Sequence, residues 1–192
     1  MRITGGIAKG HTLKGPKPHL RTLRPTTDRV REAVFNILAD RVVGARVLDL
    51  FAGTGSYGIE ALSRRAQSVV FVDRDRTALE LIARNLGRCF PDAPARAFQL
   101  DLTRNSSLGY LKNQLPDTAS FDLIFIDPPY EKRLAQKLLN MVEGAGLLAK
   151  DGILLVEEKH NQHLPERVGK LELKDSRRYG KTGIRLYGTQ PG

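Results

Sequence analysis

The sequence of 192 residues predicts an α/β protein with a mostly parallel β-sheet, and three observations lead to this fold class. Short, strongly apolar runs recur along the chain, longer stretches with helical spacing separate them, and two strand-like segments close the sequence. Runs this apolar are typical of strands buried on both faces, and their alternation with helices produces right-handed crossovers and parallel pairing. With 41% hydrophobic residues, the chain is long enough to bury one good core.

The N-terminal residues 1–27 are predicted to form a basic hairpin extension that precedes a domain at residues 28–192. The segment "RITGGIAKGHTL" has strand-like ends around glycines, a pattern typical of a small hairpin. In "RPTTDRVREAVFNIL", Thr26, Thr27 and Asp28 supply capping side chains for a helix. Its apolar positions have amphipathic spacing and are Val30, Ala33, Val34, Ile37 and Leu38. We expect this helix to dock on the domain with its basic residues exposed.

Five apolar runs predict the parallel strands. They are Arg46–Phe51, Ser68–Asp73, Ala95–Leu100, Phe121–Ile126 and Gly152–Glu157. Thr77–Leu86 is one of the intervening helices, and Glu157 and Glu158 are expected to form a solvated end of the fifth strand. Lys170–Lys174 and Gly183–Tyr187, joined by "DSRRYGKT", predict a closing antiparallel pair.

The net charge of +10 is distributed unevenly along the chain. Residues 1–46 contain ten Lys and Arg against three Asp and Glu, residues 47–156 contain thirteen of each, and residues 157–192 contain eight against five. A basic flank on a neutral body suits a polyanionic partner, because each cation can neutralise a phosphate and release counterions. The alternative is a solvated surface that keeps the protein soluble.

Other features of the sequence indicate a cytoplasmic protein. No apolar run approaches the length of a membrane span, and the N-terminal residues lack the apolar region of a secretory signal. Cys89 is the single cysteine and cannot form an internal disulfide, which fits a reducing compartment. No set of His, Cys and carboxylate residues has metal-ligand spacing, so no metal site is expected.

A glycine-rich motif, "VLDLFAGTGSYG", follows the first predicted strand. Gly53, Gly55 and Gly58 satisfy the pattern G-x-G-x-x-G, and Asp73 ends the next strand 20 residues after Gly53. The spacing is typical of a loop that a nucleotide cofactor approaches closely. Asp49 would repel the pyrophosphate of a dinucleotide but attract the sulfonium and ammonium of S-adenosylmethionine. The motif therefore favours a methyl donor over a dinucleotide.

Four predicted strands end in an acid, namely Asp49, Asp73, Asp101 and Asp127. In an open parallel sheet, ligands bind at the carboxyl ends of the strands. Asp73 can serve ribose hydroxyls, and Asp101 can accept a hydrogen bond from an adenine amine. Four acids in these positions suit a cofactor that carries cationic groups and hydroxyls.

The fourth predicted strand ends in "FIDPPY", residues 125–130. The Asp127 carboxylate and the Pro128 carbonyl, held by stiff prolines, can accept the two hydrogens of an exocyclic amine and direct its lone pair toward a methyl group. Tyr130 offers a face on which a flipped base can stack. The plainer alternative is a turn that terminates a strand.

With these motifs, the chain resembles the class I S-adenosylmethionine-dependent methyltransferases, which have a Rossmann-like fold. It is most similar to the bacterial family that methylates N2 of one guanine in 16S ribosomal RNA. The resemblance covers nearly the full length and includes "MRITGG", "LRPTTDRVREAVFNIL", "VLDLFAGTGSYGIEALSR", "FVDRD", "FIDPPY" and "RRYGKTGIRLY". It implies a seven-stranded sheet with an antiparallel last strand, and a basic hairpin that helps to engage RNA.

The resemblance also implies roles for individual residues. The catalytic group would comprise Asp127, Pro128, Pro129 and Tyr130. The group that binds S-adenosylmethionine would comprise Asp49, Phe51, Gly53, Gly55, Asp73, Asp101 and Leu102. The candidate nucleic-acid contacts are Arg2, Lys9, Lys14, Arg21, Arg24 and Arg29, together with Arg31. The expected substrate is 16S ribosomal RNA within an assembling 30S subunit, and the expected state is a monomer.

Three alternatives remain open at this stage. An adenine-N6 methyltransferase acting on RNA or DNA would use the same Asp-Pro-Pro-Tyr chemistry, because both target amines are conjugated with a ring. A non-catalytic nucleic-acid-binding protein could keep the fold without the activity. A dinucleotide oxidoreductase is the third alternative, and the acidic residue before the glycine loop disfavours it.

Overall fold

The computed structural model describes residues 1–15, 28–116, 120–129 and 134–189. The chain divides into two compact units, Met1–Leu100 and Asp101–Gly192. Within the described ranges, no helix combines the length and the hydropathy that a membrane span requires.

The described residues of the first unit form three parallel strands and three α-helices. Its elements in chain order are α1 (Asp28–Leu38), a 3-10 turn (Ala39–Val42), β1 (Arg46–Leu50), α2 (Ser56–Ser63), β2 (Ser68–Asp73), α3 (Arg76–Cys89) and β3 (Ala95–Gln99). The strand order is β3-β2-β1, and both pairings are parallel. Four of the six residues of the central strand β2 are valine or phenylalanine and are buried, as expected for a strand with neighbours on both sides.

Helix α3 shows how local sequence sets the boundaries of an element. The Asp75 side chain accepts a hydrogen bond from the Thr77 amide at 2.8 Å and caps the N-terminus. Ala78, Leu81 and Ile82 form its buried stripe. Asn85 continues this stripe one turn later and is also buried, so a polar side chain occupies a core position of the helix.

The second unit combines a parallel pair with an antiparallel extension. Its elements are α4 (Ser107–Asn113), β4 (Phe121–Ile126), α5 (Leu134–Ala145), β5 (Leu148–Lys159), β6 (Arg167–Val168), β7 (Leu171–Tyr179) and β8 (Thr182–Thr189). The strand order is β4-β5-β8-β7-β6. The β4–β5 pairing is parallel, and the other three are antiparallel.

The predicted fold class is confirmed, with differences of detail. The described residues form eight strands rather than seven, because the two-residue strand β6 pairs with the start of β7. The predicted connection "DSRRYGKT" is wrong, since β7 continues to Tyr179 and only Gly180 and Lys181 form the turn. The polar residues of this segment can belong to β7 because an antiparallel strand can have one solvated face.

The carboxylates at the end of β5 also differ from the expectation. Glu157 and Glu158 were predicted to be solvated, but both side chains are buried. Strand β5 extends to Lys159 and pairs with β8 along its last seven residues, so both positions lie inside a ladder and not at a free strand end. Glu158 accepts a hydrogen bond from the Lys159 amide, and burial raises the pKa of its carboxyl.

The predicted N-terminal hairpin occurs as a folded-back segment with one antiparallel bridge between Arg2 and Thr12. Backbone hydrogen bonds from Ile3 to His11 and from Leu13 to Met1 hold its two limbs together at 3.0 Å each. Ile3 and Leu13 are buried, so the segment contributes to the core of the first unit. The division of the chain into an extension at 1–27 and a domain at 28–192 stays a prediction.

A buried carboxylate in α2 fixes this hairpin. Glu60 is fully buried and accepts hydrogen bonds from the Thr4 amide, the Thr4 hydroxyl and the Gly5 amide at 2.7–2.8 Å. It also forms ion pairs with Arg31 of α1 at 3.2 Å and with Arg64 at 2.9 Å. The glutamate therefore satisfies donors from three segments of the chain at once, and buried charges require such pairing.

Candidate active site

The glycine-rich loop after β1 has an unusual backbone. Phe51, Gly53 and Gly55 all have positive φ, at 60°, 54° and 76°. Gly55 occupies the N-cap position of α2. A β-carbon on Gly55 would also lie 3.1 Å from Ile59 and from Ile82, so the chain packs closely behind the loop. The left-handed positions turn the chain sharply from the strand into the helix, and they leave bare backbone at the predicted cofactor loop.

Asp49 lies in β1 and is only 2% exposed. One carboxylate oxygen accepts a hydrogen bond from the Gly58 amide of α2 at 2.9 Å. The pKa of Asp49 is raised to about 7, mainly by burial; the Gly58 hydrogen bond lowers it, and the negative charge of Asp73 contributes to the rise. This carboxyl group is therefore poised to become fully charged when a cation is placed beside it.

Asp73 is the last residue of β2, and its side chain holds the glycine-rich loop in place by hydrogen bonding. Its two carboxylate oxygens accept hydrogen bonds from the Gly53 amide at 2.8 Å and from the Asp75 amide at 2.9 Å. Each oxygen retains a second lone pair, which a hydroxyl group could use. The structure thus brings Asp49, Gly53 and Asp73 together at the carboxyl ends of β1 and β2, as the sequence predicted.

Asp101 and Leu102 begin the second unit. One oxygen of Asp101 accepts hydrogen bonds from the Thr103 amide at 3.0 Å and from its hydroxyl at 2.6 Å, and Arg104 lies 3.8 Å from the other oxygen. Leu102 is buried. Asp101 therefore organises the turn that leads into α4, and its carboxylate is partly exposed.

The Asp-Pro-Pro segment directly follows β4. Asp127 is half-buried, Pro128 is buried and Pro129 is exposed. Both prolines lie after the last residue of the strand, so the β4–β5 ladder loses no backbone donor. Tyr130, the fourth residue of the predicted catalytic group, lies outside the described residues.

The basic residues proposed to contact RNA fall into three sets. Arg2, Lys9, Lys14 and Arg29 are exposed on the first unit. Arg21 and Arg24 lie outside the described residues. The expectation for Arg31 is wrong, because its side chain is fully buried between Asp28 and Glu60 and cannot reach a phosphate.

Sequence reasoning missed the role of Asn85. Its amide nitrogen donates hydrogen bonds to the Lys14 and Thr54 carbonyls, each at 3.1 Å, and its amide oxygen accepts one from the Lys14 amide at 2.9 Å. One buried side chain thus joins the end of the N-terminal hairpin to the glycine-rich loop. A polar residue on the apolar stripe of α3 was the signal available in the sequence.

Within residues 1–15, 28–116, 120–129 and 134–189, no group of three or more His, Cys, Asp or Glu side chains is arranged to hold a metal ion.

Asp49→Asn provides a test of the raised pKa. Because the folded-state pKa of Asp49 is about 7 against an ordinary value of 3.8, the folded protein binds the extra proton between about pH 4 and pH 7. The free energy of unfolding therefore falls as the pH rises through this window. The linkage corresponds to about 4 kcal/mol, of which we expect about half after water penetration and relaxation. The variant should be about 2 kcal/mol more stable than the wild type at pH 9, with little difference at pH 4.

Thermal denaturation of the ligand-free proteins at pH 4, 7 and 9 measures this difference. Asp92→Asn is the matched control, because Asp92 is exposed on the same unit. A stability difference for Asp49→Asn that is the same at all three pH values would contradict the assignment of the raised pKa.

The chain shows extended similarity to known proteins. Residues 1–188 match the family described as conserved hypothetical protein 95. YlbH of Bacillus subtilis (strain 168), provisionally named an rRNA methyltransferase, is 36% identical over 187 residues, which cover 97% of this chain and 98% of that protein. Ribosomal RNA small subunit methyltransferase D of Escherichia coli (strain K12) is 34% identical over 187 residues, with 97% and 89% covered. The solved structure of yhhF from Escherichia coli, provisionally named a methyltransferase, has a TM-score of 0.82 at 32% identity, with 100% and 99% covered.

Proposed function

The chain belongs to the conserved hypothetical protein 95 family, and from that membership we propose that it is a methyltransferase acting on ribosomal RNA of the small subunit. More specifically, it transfers a methyl group from S-adenosylmethionine to the exocyclic N2 of a guanine in 16S ribosomal RNA. The observation that carries the proposal is the Asp-Pro-Pro segment at the carboxyl end of β4, in a chain that matches these relatives over 97% of its length.

The loop of the first unit fits a methyl donor that carries positive charge. S-adenosylmethionine supplies an electrophilic methyl group on a cationic sulfonium. Asp49 is a buried carboxyl whose pKa of about 7 would fall beside a cation, so its charge would become available on binding. Asp73 would accept the ribose hydroxyls, and the backbone at Gly53 and Gly55 would permit close approach. Phe51, Asp101 and Leu102 complete the proposed cofactor group.

The second unit supplies the groups that orient the acceptor amine. The Asp127 carboxylate and the Pro128 carbonyl would each accept one hydrogen of the guanine amine. With both hydrogens held, the nitrogen lone pair would no longer lie fully in conjugation with the ring and could attack the methyl carbon. The N–C bond would form as the C–S bond breaks to leave a neutral thioether, and the proton that the methylated amine then loses would pass through the Asp127 carboxylate to solvent. Pro129 stiffens the segment, and Tyr130 would stack on the base. Catalysis then consists mainly of positioning and electrostatic stabilisation.

The exposed cations of the first unit would bind the RNA backbone. Arg2, Lys9 and Lys14 lie on the N-terminal hairpin, and Arg29 lies in the first turn of α1. Phosphate neutralisation by such residues gives affinity without sequence specificity. We therefore assign these residues to docking, and we assign the choice of base to the groups around Asp127.

Methyl transfer from labelled S-adenosylmethionine to unmodified 30S subunits tests the proposal. Naked 16S ribosomal RNA and DNA serve as parallel substrates, and the products are digested to nucleosides and identified by mass. We expect label in N2-methylguanosine, with subunits or their assembly intermediates as the better substrate. Label in N6-methyladenosine would replace the guanine assignment by the adenine alternative. Tight S-adenosylmethionine binding without transfer to any substrate would make the protein a non-catalytic binder.

A further inference from the structure

The C-terminal hairpin of the second unit carries a motif that the proposed function does not use. This hairpin comprises β7, the turn Gly180-Lys181 and β8, and its sequence "RRYGKTGIRLY" is part of the family resemblance. Gly180 has a φ of 61° at the first position of a two-residue turn, which suits the tight connection. The tip of the hairpin is therefore a tight two-residue turn and not a long loop.

Strand register places this tip at the same end of the sheet as Asp127. Ile126, the residue before Asp127, pairs with Val156 of β5, Val156 pairs with Arg185 of β8, and Arg185 pairs with Ser176 of β7. From this row, the chain continues past the end of β4 into Asp127, and in β7 it continues in the same direction through Arg177 and Arg178. The hairpin tip thus projects beyond the carboxyl end of β4, where ligands bind in open sheets.

The distance across the sheet from β4 to β7 suits a single nucleic-acid strand that contacts both. From β4 through β5 and β8 to β7 there are three strand spacings. At about 4.8 Å each, they amount to about 14 Å. A helical nucleic-acid strand rises about 3.4 Å per nucleotide, so this distance corresponds to about four nucleotides. A target base held at Asp127 would therefore place phosphates a few nucleotides away within reach of the tip.

Two cations at the tip differ from the other basic residues of this region. Arg167, Lys174 and Arg177 each form an ion pair with a carboxylate, at 3.2, 2.6 and 2.8 Å. Arg178 and Lys181 are exposed, and neither has an ion-pair partner among the described residues. The Arg178 Nε donates to the Gly180 carbonyl at 3.0 Å, which holds the guanidinium over the turn. Unpaired, exposed cations are available to phosphates, whereas paired ones are largely neutralised.

In the described part of the chain, the carboxylates next to the tip are either paired or buried. Asp175 is engaged with Arg177, and the nearby Glu158 is buried with its carboxyl accepting the Lys159 amide. Lys159 itself is exposed and ends β5 beside the turn, where it pairs with Thr182. The tip therefore presents net positive charge to solvent.

We propose that Arg178 and Lys181 form a second RNA contact, which binds backbone phosphates flanking the target nucleotide. The inference rests on the proposed function and extends it, because it assigns an RNA contact to the second unit as well. Contacts to phosphates would position the strand without specifying the base, which remains the task of the groups at Asp127.

Charge reversal tests the contact. The variants are Arg178→Glu, Lys181→Glu and their combination, with Lys170→Glu as the matched control. Lys170 is exposed and precedes β7 at the opposite end of the same strand. The measurements are the affinity for unmodified 30S subunits and for naked 16S ribosomal RNA at several salt concentrations, together with the KM and kcat of methyl transfer.

We expect each reversal at the tip to weaken RNA binding about tenfold and to reduce the salt-dependence slope by about one, since each phosphate contact contributes about one released counterion. The KM for subunits should rise, while kcat and the affinity for S-adenosylmethionine stay at the wild-type values. Lys170→Glu should behave as the wild type.

The remaining outcomes overturn the inference in distinguishable ways. Wild-type binding by the tip variants, or an equal loss in Lys170→Glu, would show that the tip makes no specific contact. A loss confined to 30S subunits, with naked RNA bound normally, would assign the surface to a ribosomal protein instead. Failure of the wild-type enzyme to bind RNA or transfer methyl would refute the proposed function itself, and this contact with it.

Discussion

Asp127→Ala is expected to lower the kcat of methyl transfer by about 10²- to 10³-fold, with little change in the affinity for S-adenosylmethionine or for RNA. We expect a decrease in kcat of this size because the substitution removes one preorganised polar group that orients the reacting atom. Removing such a group typically lowers kcat by this factor in enzymes. Without the carboxylate, the target amine would keep only the Pro128 carbonyl as acceptor and would remain conjugated with its ring. Single-turnover kinetics on unmodified 30S subunits measures the chemical step directly.

Asp122→Asn is the matched control for this experiment. Asp122 is a half-buried acid near the opposite end of the same strand, β4, and is not part of the proposed site. Asp127→Asn adds a second comparison, because the amide keeps one acceptor oxygen and should show a smaller loss than alanine. If Asp127→Ala transferred methyl at the wild-type rate, the amine-orienting role would have to be abandoned. If it lost S-adenosylmethionine binding instead, Asp127 would belong to the cofactor group.

Glu60→Ala is expected to lower the free energy of unfolding by about 3–5 kcal/mol. The substitution removes the fully buried partner of Arg31 and leaves it only Asp28, whose side chain is 45% exposed. Breaking a buried ion pair by deleting one member is strongly destabilising. It also removes the acceptor for the Thr4 amide and hydroxyl and for the Gly5 amide. For a protein of this size, the melting temperature should fall on the order of 10 °C. Chemical denaturation and thermal unfolding both report the change.

Glu80→Ala gives the corresponding control on the surface. Glu80 forms ion pairs with Arg76 at 3.2 Å and with Arg84 at 3.7 Å, and its side chain is 52% exposed. Exposed pairs typically contribute no more than about 1 kcal/mol, so this variant should remain close to the wild type. Hydrogen exchange adds a local readout, because the Thr4 and Gly5 amides should exchange faster in Glu60→Ala alone. Equal destabilisation by the two substitutions would refute the special role of Glu60.

The parallel part of the fold was predictable because its signal is local. Ser68–Asp73 and Phe121–Ile126 were predicted with the bounds that the structure shows, since each is a short apolar run bounded by polar residues. The glycine-rich loop was also predictable, because the spacing of Gly53 and Gly55 reflects a backbone requirement that few other residues meet. Asp49 and Asp73 followed from their positions at the ends of the first two strands.

The features that the sequence did not reveal depend on contacts between distant segments. Arg31 looked like a surface cation, because the helical spacing of its apolar neighbours does not show that an acid in α2 lies opposite. The polar stretch from Asp175 to Arg178 looked like a loop, because edge strands tolerate charge that the interior of a sheet does not. Glu157 and Glu158 likewise lie in a ladder with β8, a strand that is distant in sequence.

The hydrogen bonds of Asn85 have a consequence for how this family can be recombined. They join Asn85 to Lys14, which lies 71 positions earlier in the chain, and to Thr54, which lies 31 positions earlier. Both partners contribute only main-chain atoms, so a chimera that received its first 15 residues from a relative would keep this junction if position 85 stayed Asn and the incoming segment followed the same backbone path. The N-terminal hairpin should therefore tolerate changes of side chain better than changes of length.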